Sequence, residues 1–379
     1  MIIPFRKKEN IKTVQKPKLI MIGALAVCAV LILLAVLVRS GFRGFDVVYA
    51  DPNENVLAYR YYPYSSGILK VASDNTSYIN DKNEVYWTAS YNMTNPRAVF
   101  CKDVAAVYDY YGNSVVICNS RGPFNSVTTA MPIIKASVSK DGSTAVITDD
   151  GTNAWIEYFD KTGARISSVK TTMDATGYPY DAALSPRGNV LAVSYITYED
   201  SQMTSRICFY NFAEAGRESA DNIVSSFTYS GLLMTEIEYI GSDTLVAFTE
   251  EGAKIFKGAD IPSEKRNTKI NGDILSVFTG PSYYGFVYAD PNSQEQKIAI
   301  YSPSGHKKAD KGVEIAYTTI VCGTSDIVLH NGSQIFILSP GGRKKLEFIS
   351  EERLRSLVPA GGNRYAMTTE NEFRLAKLK

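Results

Sequence analysis

Hydrophobic residues are distributed along this chain in two ways. Residues 19–38, LIMIGALAVCAVLILLAVLV, form one unbroken run without a charge or a proline. From residue 45 onward the apolar runs are short, rich in Val, Ile, Tyr, Phe and Thr, and separated by Gly, Pro, Asn and Asp. No long stretch there carries the 3.6-residue period of an amphipathic helix, so the pattern predicts successive β-strands and turns. With no helices between them, parallel crossover units are not expected.

One apolar strand recurs: ILKVAS (68–73), VAAVYD (104–109), TAVIT (144–148), VLAVSY (190–195), TLVAF (244–248), GFVYA (285–289), DIVLH (326–330) and RYAMT (364–368). The starts lie 36, 40, 46, 54, 41, 41 and 38 residues apart. Each is followed by a polar turn and a second strand, and most second strands end in a glycine turn, at Gly122, Gly163, Gly216, Gly258, Gly305 and Gly342. IEYFDKTG (156–163), IAIYSPSG (298–305) and IFILSPGG (335–342) are versions of one phrase. Its Ser or Asp supplies a side-chain acceptor to the turn, and its Gly supplies the left-handed conformation. A four-stranded unit of about 40–45 residues is a propeller blade. One blade cannot bury both its faces, whereas a ring of blades buries them against each other and leaves short edges.

The expected fold is therefore all-β: a β-propeller over residues 45–379 built from eight repeats, with seven or eight blades. The last repeat ends at FRLAKLK with no chain left for a fourth strand, so a strand within 45–62 is expected to close the ring. The widest interval contains ITYEDSQMTSR (196–206), a polar insertion of the kind that carries function on one face of a propeller.

A helix over residues 19–38 is long enough to span the roughly 30 Å hydrocarbon core of a bilayer, and a helix satisfies its own backbone in lipid. One transmembrane helix is expected there, contacting membrane lipid. Before it, residues 1–18 hold Arg6, Lys7, Lys8, Lys12, Lys16 and Lys18 against Glu9 alone. Basic flanks of this kind stay in the cytoplasm, which puts everything after Arg39 outside. The run exceeds the apolar part of a cleaved signal peptide, and VLVRSGF at its end offers no small-residue cleavage site. The expected organisation is a basic cytoplasmic tail (1–18), a transmembrane helix (19–38), a linker (39–44) and an extracytoplasmic propeller (45–379) of a single-pass protein of the cell membrane.

The formal net charge is +1, and without the tail 34 basic residues face 38 acidic ones. Such a domain has no field to steer a polyanion, so no nucleic-acid partner is expected. Of five cysteines, Cys28 lies in the long apolar run, and Cys101, Cys118, Cys208 and Cys322 lie in strand-like runs without a C-x-x-C pair. Buried free thiols are the expected state.

INDKNEVYW (79–87) is similar to the tryptophan-docking repeat of quinoprotein-type propellers, but Trp87 and Trp155 are too few for a regular docking ring. The turns and blade length resemble those of WD40, TolB-like and quinoprotein-like propellers. GYPYDAALSPRGNVLAVSY (177–195), followed by ICFYNFAEAG (207–216), is more distinctive. With the N-terminal apolar run and the order of blades, it resembles a bacterial family of single-pass, membrane-anchored propellers of unknown function, over nearly the whole chain. Arg187 stands where that family's turn usually has Asp. The resemblance implies fold and location, and brings no catalytic residues with it.

The residues themselves point to no reaction. His306 lies in a polar turn and His330 at the end of a repeated strand, neither beside a nucleophile motif. Two separated histidines and strand-borne cysteines do not make a zinc site. The acidic clusters DDGTN (149–153) and YEDSQ (198–202) read as solvated turns, and phosphate-binding glycine patterns are missing. No catalytic residue, cofactor or metal is expected. Tyrosine is more informative: YRYYPYSS (59–66), YDYYG (108–112) and YPY (178–180) bring it to turns near blade ends. Tyrosine offers amphipathic contact area at small entropic cost. The candidate binding residues are Tyr178, Tyr180, Tyr195, Tyr198 and Asn211. The expected function is a binding or scaffold module for a protein or cell-envelope ligand. The alternative is a propeller enzyme, either a quinoprotein-like oxidoreductase or a glycan hydrolase, with its site in the central channel.

Overall fold

In the computed structural model the recurring apolar runs are strands, among them Val104–Asp109, Thr144–Asp149 and Thr244–Thr249, and each is the second strand of a four-stranded antiparallel sheet. The structure describes residues 41–379 other than 173–175, 200–201 and 294. The expected basic tail (1–18), the expected transmembrane helix (19–38) with Cys28, and the start of the linker lie outside the described residues. Among the described residues no helix is long and apolar enough to cross a membrane.

Residues 43–379 form one unit of eight such sheets, so the propeller has eight blades. Blades 1 to 7 span residues 60–90, 96–128, 133–171, 178–230, 234–269, 273–312 and 319–349; blade 8 combines 356–378 with the N-terminal strand Phe45–Asp51. The ring closes as expected. Phe45–Asp51 pairs antiparallel with Phe373–Leu378, from Phe45 opposite Leu378 to Asp51 opposite Phe373. Backbone bonds from Arg43 N–H to the Lys379 carbonyl (2.7 Å) and from Lys379 N–H to the Gly44 carbonyl (3.1 Å) extend the ladder.

Strand position within a blade explains the sequence pattern. First strands contact the first strands of neighbouring blades and line the central channel. Second strands are sandwiched on both sides, so VAAVYD and TLVAFT are buried at every position and read as continuous apolar runs. Fourth strands form the rim. Ser263–Lys269 (SEKRNTK) buries only Thr268, and Lys307–Gly312 (KKADKG) only Ala309. Their charges suit an exposed sheet edge, which must not pair with other chains.

The core is distributed between blades. Ala106 and Ile117 of blade 2 meet Ile133, Ala136 and Val146 of blade 3. Ile147 and Ile156 of blade 3 meet Leu191, Val193 and Tyr210 of blade 4, and Val246 and Phe248 of blade 5 meet Phe286 and Tyr301 of blade 6. Each large side chain buried this way contributes about 1.5–3 kcal/mol. Tyrosines also tie one blade to the next. The hydroxyls of Tyr64, Tyr158 and Tyr283 donate to the carbonyls of Asp103 (2.8 Å), Gly188 (2.7 Å) and Gly323 (2.8 Å). In all three cases the acceptor lies in the first turn of the following blade, so one polar tip is satisfied while the ring fills the gap.

Candidate functional site

Antiparallel succession sorts the connections onto two faces. Turns between first and second strands, and between third and fourth, open on one face, here termed the turn face. Turns between second and third strands, and the links between blades, open on the other, the linker face.

The repeated phrase of the sequence belongs to the turn face. In the Ser339–Arg343 turn, Gly342 N–H donates to the Ser339 carbonyl (2.8 Å) and Arg343 N–H donates to the Ser339 hydroxyl (3.1 Å). The Ser302 turn repeats both bonds at 2.9 and 3.1 Å. In blade 3, Asp160 takes the place of serine and accepts from Ala164 N–H at 3.1 Å. The glycine of each is left-handed, with φ of 82°, 79° and 80° at Gly163, Gly305 and Gly342. One face is thus built from a standard hairpin, and variation is left to the other.

On the linker face, blades 2 to 4 carry most of the candidate residues. Tyr110 and Tyr111 occupy the second turn of blade 2, with ring centroids 4.3 Å apart. The Arg97 guanidinium lies 3.4 Å from the Tyr110 ring centroid. Tyr111 is 67% exposed and has φ of 64°, a left-handed conformation rare for a bulky residue. Three backbone bonds hold it there: Tyr111 N–H to the Ile133 carbonyl (2.9 Å), Ile133 N–H to the Gly112 carbonyl (2.7 Å) and Gly112 N–H to the Asp109 carbonyl (3.0 Å). In blade 4 the Tyr178 hydroxyl donates to Asp149 Oδ2 of blade 3 at 2.8 Å. Burial, and after it Asp149, raises the Tyr178 phenol above its ordinary range. Tyr110, and more weakly Asp149, does the same to Tyr111. Asp149 of blade 3 thereby anchors Tyr178 of blade 4.

The polar insertion at 196–206 is not a loop but a raised hairpin. Val190–Glu199 and Gln202–Asn211 stay paired from Val190 opposite Asn211 to Glu199 opposite Gln202. Near its tip Tyr198, 70% exposed, faces Met203, 47% exposed, directly across the ladder. Tyr180 is 49% exposed on the first strand of the same blade. Tyr195 and Asn211 lie inside. The Tyr195 hydroxyl meets that of Tyr210. Asn211 Nδ2 donates to the Asp260 carbonyl (2.9 Å), and its Oδ1 accepts from Ala213 N–H (2.8 Å). The structure thus brings Tyr178, Tyr180 and Tyr198 to the linker face or the channel beside it, with Tyr195 bracing the strands beneath, whereas Asn211 ends the third strand of blade 4 on the opposite, turn face. Tyr111 and Met203 join Tyr178, Tyr180 and Tyr198. The tyrosines of 59–66 instead pack: Tyr61 stacks on Phe373 with centroids 5.6 Å apart at the closure seam, and Tyr64 is buried against Tyr78.

The channel wall carries charge on blades 3 to 5. Asp181 is buried and saturated, accepting from Ala182 N–H (2.8 Å), Ile237 N–H (2.9 Å) and Lys135 Nζ (2.9 Å). Glu236 and Glu238 follow on the first strand of blade 5, and Thr279 donates to Glu238 Oε2 at 3.2 Å. Glu238 is exposed to the open channel; loss of solvent to the surrounding channel wall, with Glu236 beside it, pushes its carboxyl up to about 7. Among the described residues no three His, Cys, Asp or Glu side chains are grouped to hold a metal. All four described cysteines are free. Burial pushes the thiols of Cys101 up to about 11 and of Cys118 and Cys322 up to about 12, which leaves them unreactive.

Comparison with known proteins gives a family and a fold. A model of a family of unknown function, DUF5711, matches residues 39–378. No curated protein matches the chain. Among solved structures, BamB from Moraxella catarrhalis is similar with a TM-score of 0.50 at 13% identity, over 88% of this chain and 100% of that one. Hsv2 from Kluyvelomyces marxianus gives 0.45 at 10% identity over 79% and 98%. The Pan2 WD40 domain from Neurospora crassa gives 0.42 at 6% identity over 89% and 95%. At such identities the likeness concerns the propeller fold alone.

Proposed function

This chain belongs to the DUF5711 family of unknown function, and on that premise we propose that it is a membrane-anchored, extracytoplasmic scaffold that binds a protein on the linker face of blades 2 to 4. The observation that carries the reading is the exposed aromatic surface there. Tyr111 is displayed in a strained conformation fixed by the neighbouring blade, and Tyr198 and Met203 are lifted on an extended hairpin. Backbone strain is retained where surrounding structure over-determines it, and such places concentrate at binding sites. Rigid aromatic side chains supply contact area with little entropy to lose. Tyr178 and Tyr180 extend the surface, while Tyr195 holds the strands that carry it; Asn211, on the turn face, takes no part in it. The apolar run at 19–38 and its basic flank support the anchor.

A photoreactive residue introduced at 111 or 198 tests this in native membranes, with Ile166 and Ile349, exposed on outermost strands, as control positions. Adducts of defined mass at 111 and 198 and none at the controls are expected. Equal labelling at all four positions, or none, contradicts the reading. For the anchor, an impermeant thiol reagent on intact cells should label Tyr198→Cys and spare Asn10→Cys; the reverse pattern places the propeller inside.

A further inference from the structure

A second site lies on the linker face at the seam of blades 7 and 8. A cavity of about 370 Å³ opens there, lined by Thr319, His330, Gly332, Arg353, Arg355 and Glu370. Its residues come from four separate segments: the start of blade 7, the second turn of blade 7, the link to blade 8 and the second turn of blade 8. The backbone ties these segments together. Leu354 N–H donates to the Gly332 carbonyl (2.8 Å), Arg355 N–H to the Thr368 carbonyl (2.8 Å) and Thr318 N–H to the His330 carbonyl (3.0 Å).

The side chains are supplied with donors and short of acceptors. Arg353 and Arg355 are exposed and make no ion pair or side-chain hydrogen bond among the described residues; of the nearby acids Glu352 and Glu372 are taken up by Arg374, while Glu351 and Glu370 are exposed and unpaired. His330 is only 2% exposed. Its Nδ1 accepts the Gly332 N–H at 3.3 Å, which leaves the proton on Nε2, and Nε2 has no partner. Gly332 has φ of 96°, and a Cβ there would lie 2.9 Å from the Leu354 carbonyl oxygen and 3.2 Å from Arg353 Cγ. Its missing side chain lets Arg353 lie close over the turn. Glu370 is the single acid on the lining, against two guanidinium groups.

The geometry points to an oxyanion site: this cavity takes one carboxylate or phosphate group, held by Arg353 and Arg355, with His330 among the residues of its wall. Guanidinium forks match both kinds of oxyanion with paired hydrogen bonds.

Titration calorimetry on the full-length chain tests this, with inorganic phosphate and acetate as separate probes and sodium chloride at matched ionic strength as the control for screening. Saturable binding of one ion per chain is expected for at least one probe. A response to phosphate alone marks a phosphate-bearing partner, and a response to acetate alone a carboxylate-bearing one. In Arg353→Gln/Arg355→Gln, whose exposed side chains leave the fold unaffected, affinity should fall at least tenfold. Binding of neither probe at millimolar concentration, binding that chloride reproduces, or affinity unchanged in the double variant would each overturn the assignment.

Discussion

A single tyrosine chemistry serves two ends in this molecule. Tyr64, Tyr158 and Tyr283 bury their rings and spend their hydroxyls on the next blade, whereas Tyr111 and Tyr198 face solvent. Only the second kind is available to a partner. Tyr111 also carries a cost, since a non-glycine residue in the left-handed region is strained by about 1–3 kcal/mol. Replacing Tyr111 by Gly should therefore stabilise the protein by about 1 kcal/mol in urea denaturation while abolishing any adduct formed through that turn. A loss of stability would mean that the exposed ring packs on Tyr110 strongly enough to offset the strain. Both roles are written Tyr in the chain, and neighbouring residues do not separate them: YDYYG holds a buried Tyr108 beside an exposed Tyr111. The same holds for Tyr195 and Tyr198, three residues apart on one strand, the first buried and the second not.

At the scale of elements, the legible strands were those squeezed on both sides. The second and third strands of every blade stand out because burial on two faces demands continuous apolar sequence. First and fourth strands were not legible. First strands along the channel mix buried and half-buried positions without a continuous apolar run, and fourth strands such as SEKRNTK bury one side chain, so neither stands out in the sequence. The closing strand was inferred instead from a missing partner at the C-terminus, and the register of Phe45–Asp51 on Phe373–Leu378 shows how it works. Phe45 sits 5.6 Å from Tyr365 and 5.9 Å from Phe348. Deleting residues 45–51 should uncover the otherwise buried third strand of blade 8 and lower the melting temperature by roughly 10 °C or more. A deletion variant that melts with the parent would show that the ring holds without its clasp. The insertion at 196–206 reads as polar and loop-like, yet cross-strand pairing carries it on as a hairpin, because Ile196 and Thr204 continue the alternation of their strands into it.

At the scale of the whole molecule, ring closure creates environments that no single blade has. The channel gathers Lys135, Asp181, Glu236, Glu238 and Thr279 from blades 3 to 6. Desolvation in the channel pushes the Glu238 carboxyl up to about 7 from an ordinary 4.5. Between those values the folded protein holds a proton that the unfolded chain has released, so stability declines as pH rises through this window. Glu238→Gln should flatten that decline; urea midpoints at pH 5 and 8 that differ as much in the variant as in the parent would show that Glu236 and Asp181 carry it. The sequence by itself determined the β-class, the blade period, the hairpin turns and the need for an N-terminal clasp, because these follow from local burial and turn stereochemistry. Tertiary structure alone decided that the blades number eight, which tyrosines are buried, which face is irregular, and which charges meet in the channel and at the seam of blades 7 and 8. Those properties depend on contacts between residues far apart in the chain, and such contacts exist only once the ring has closed.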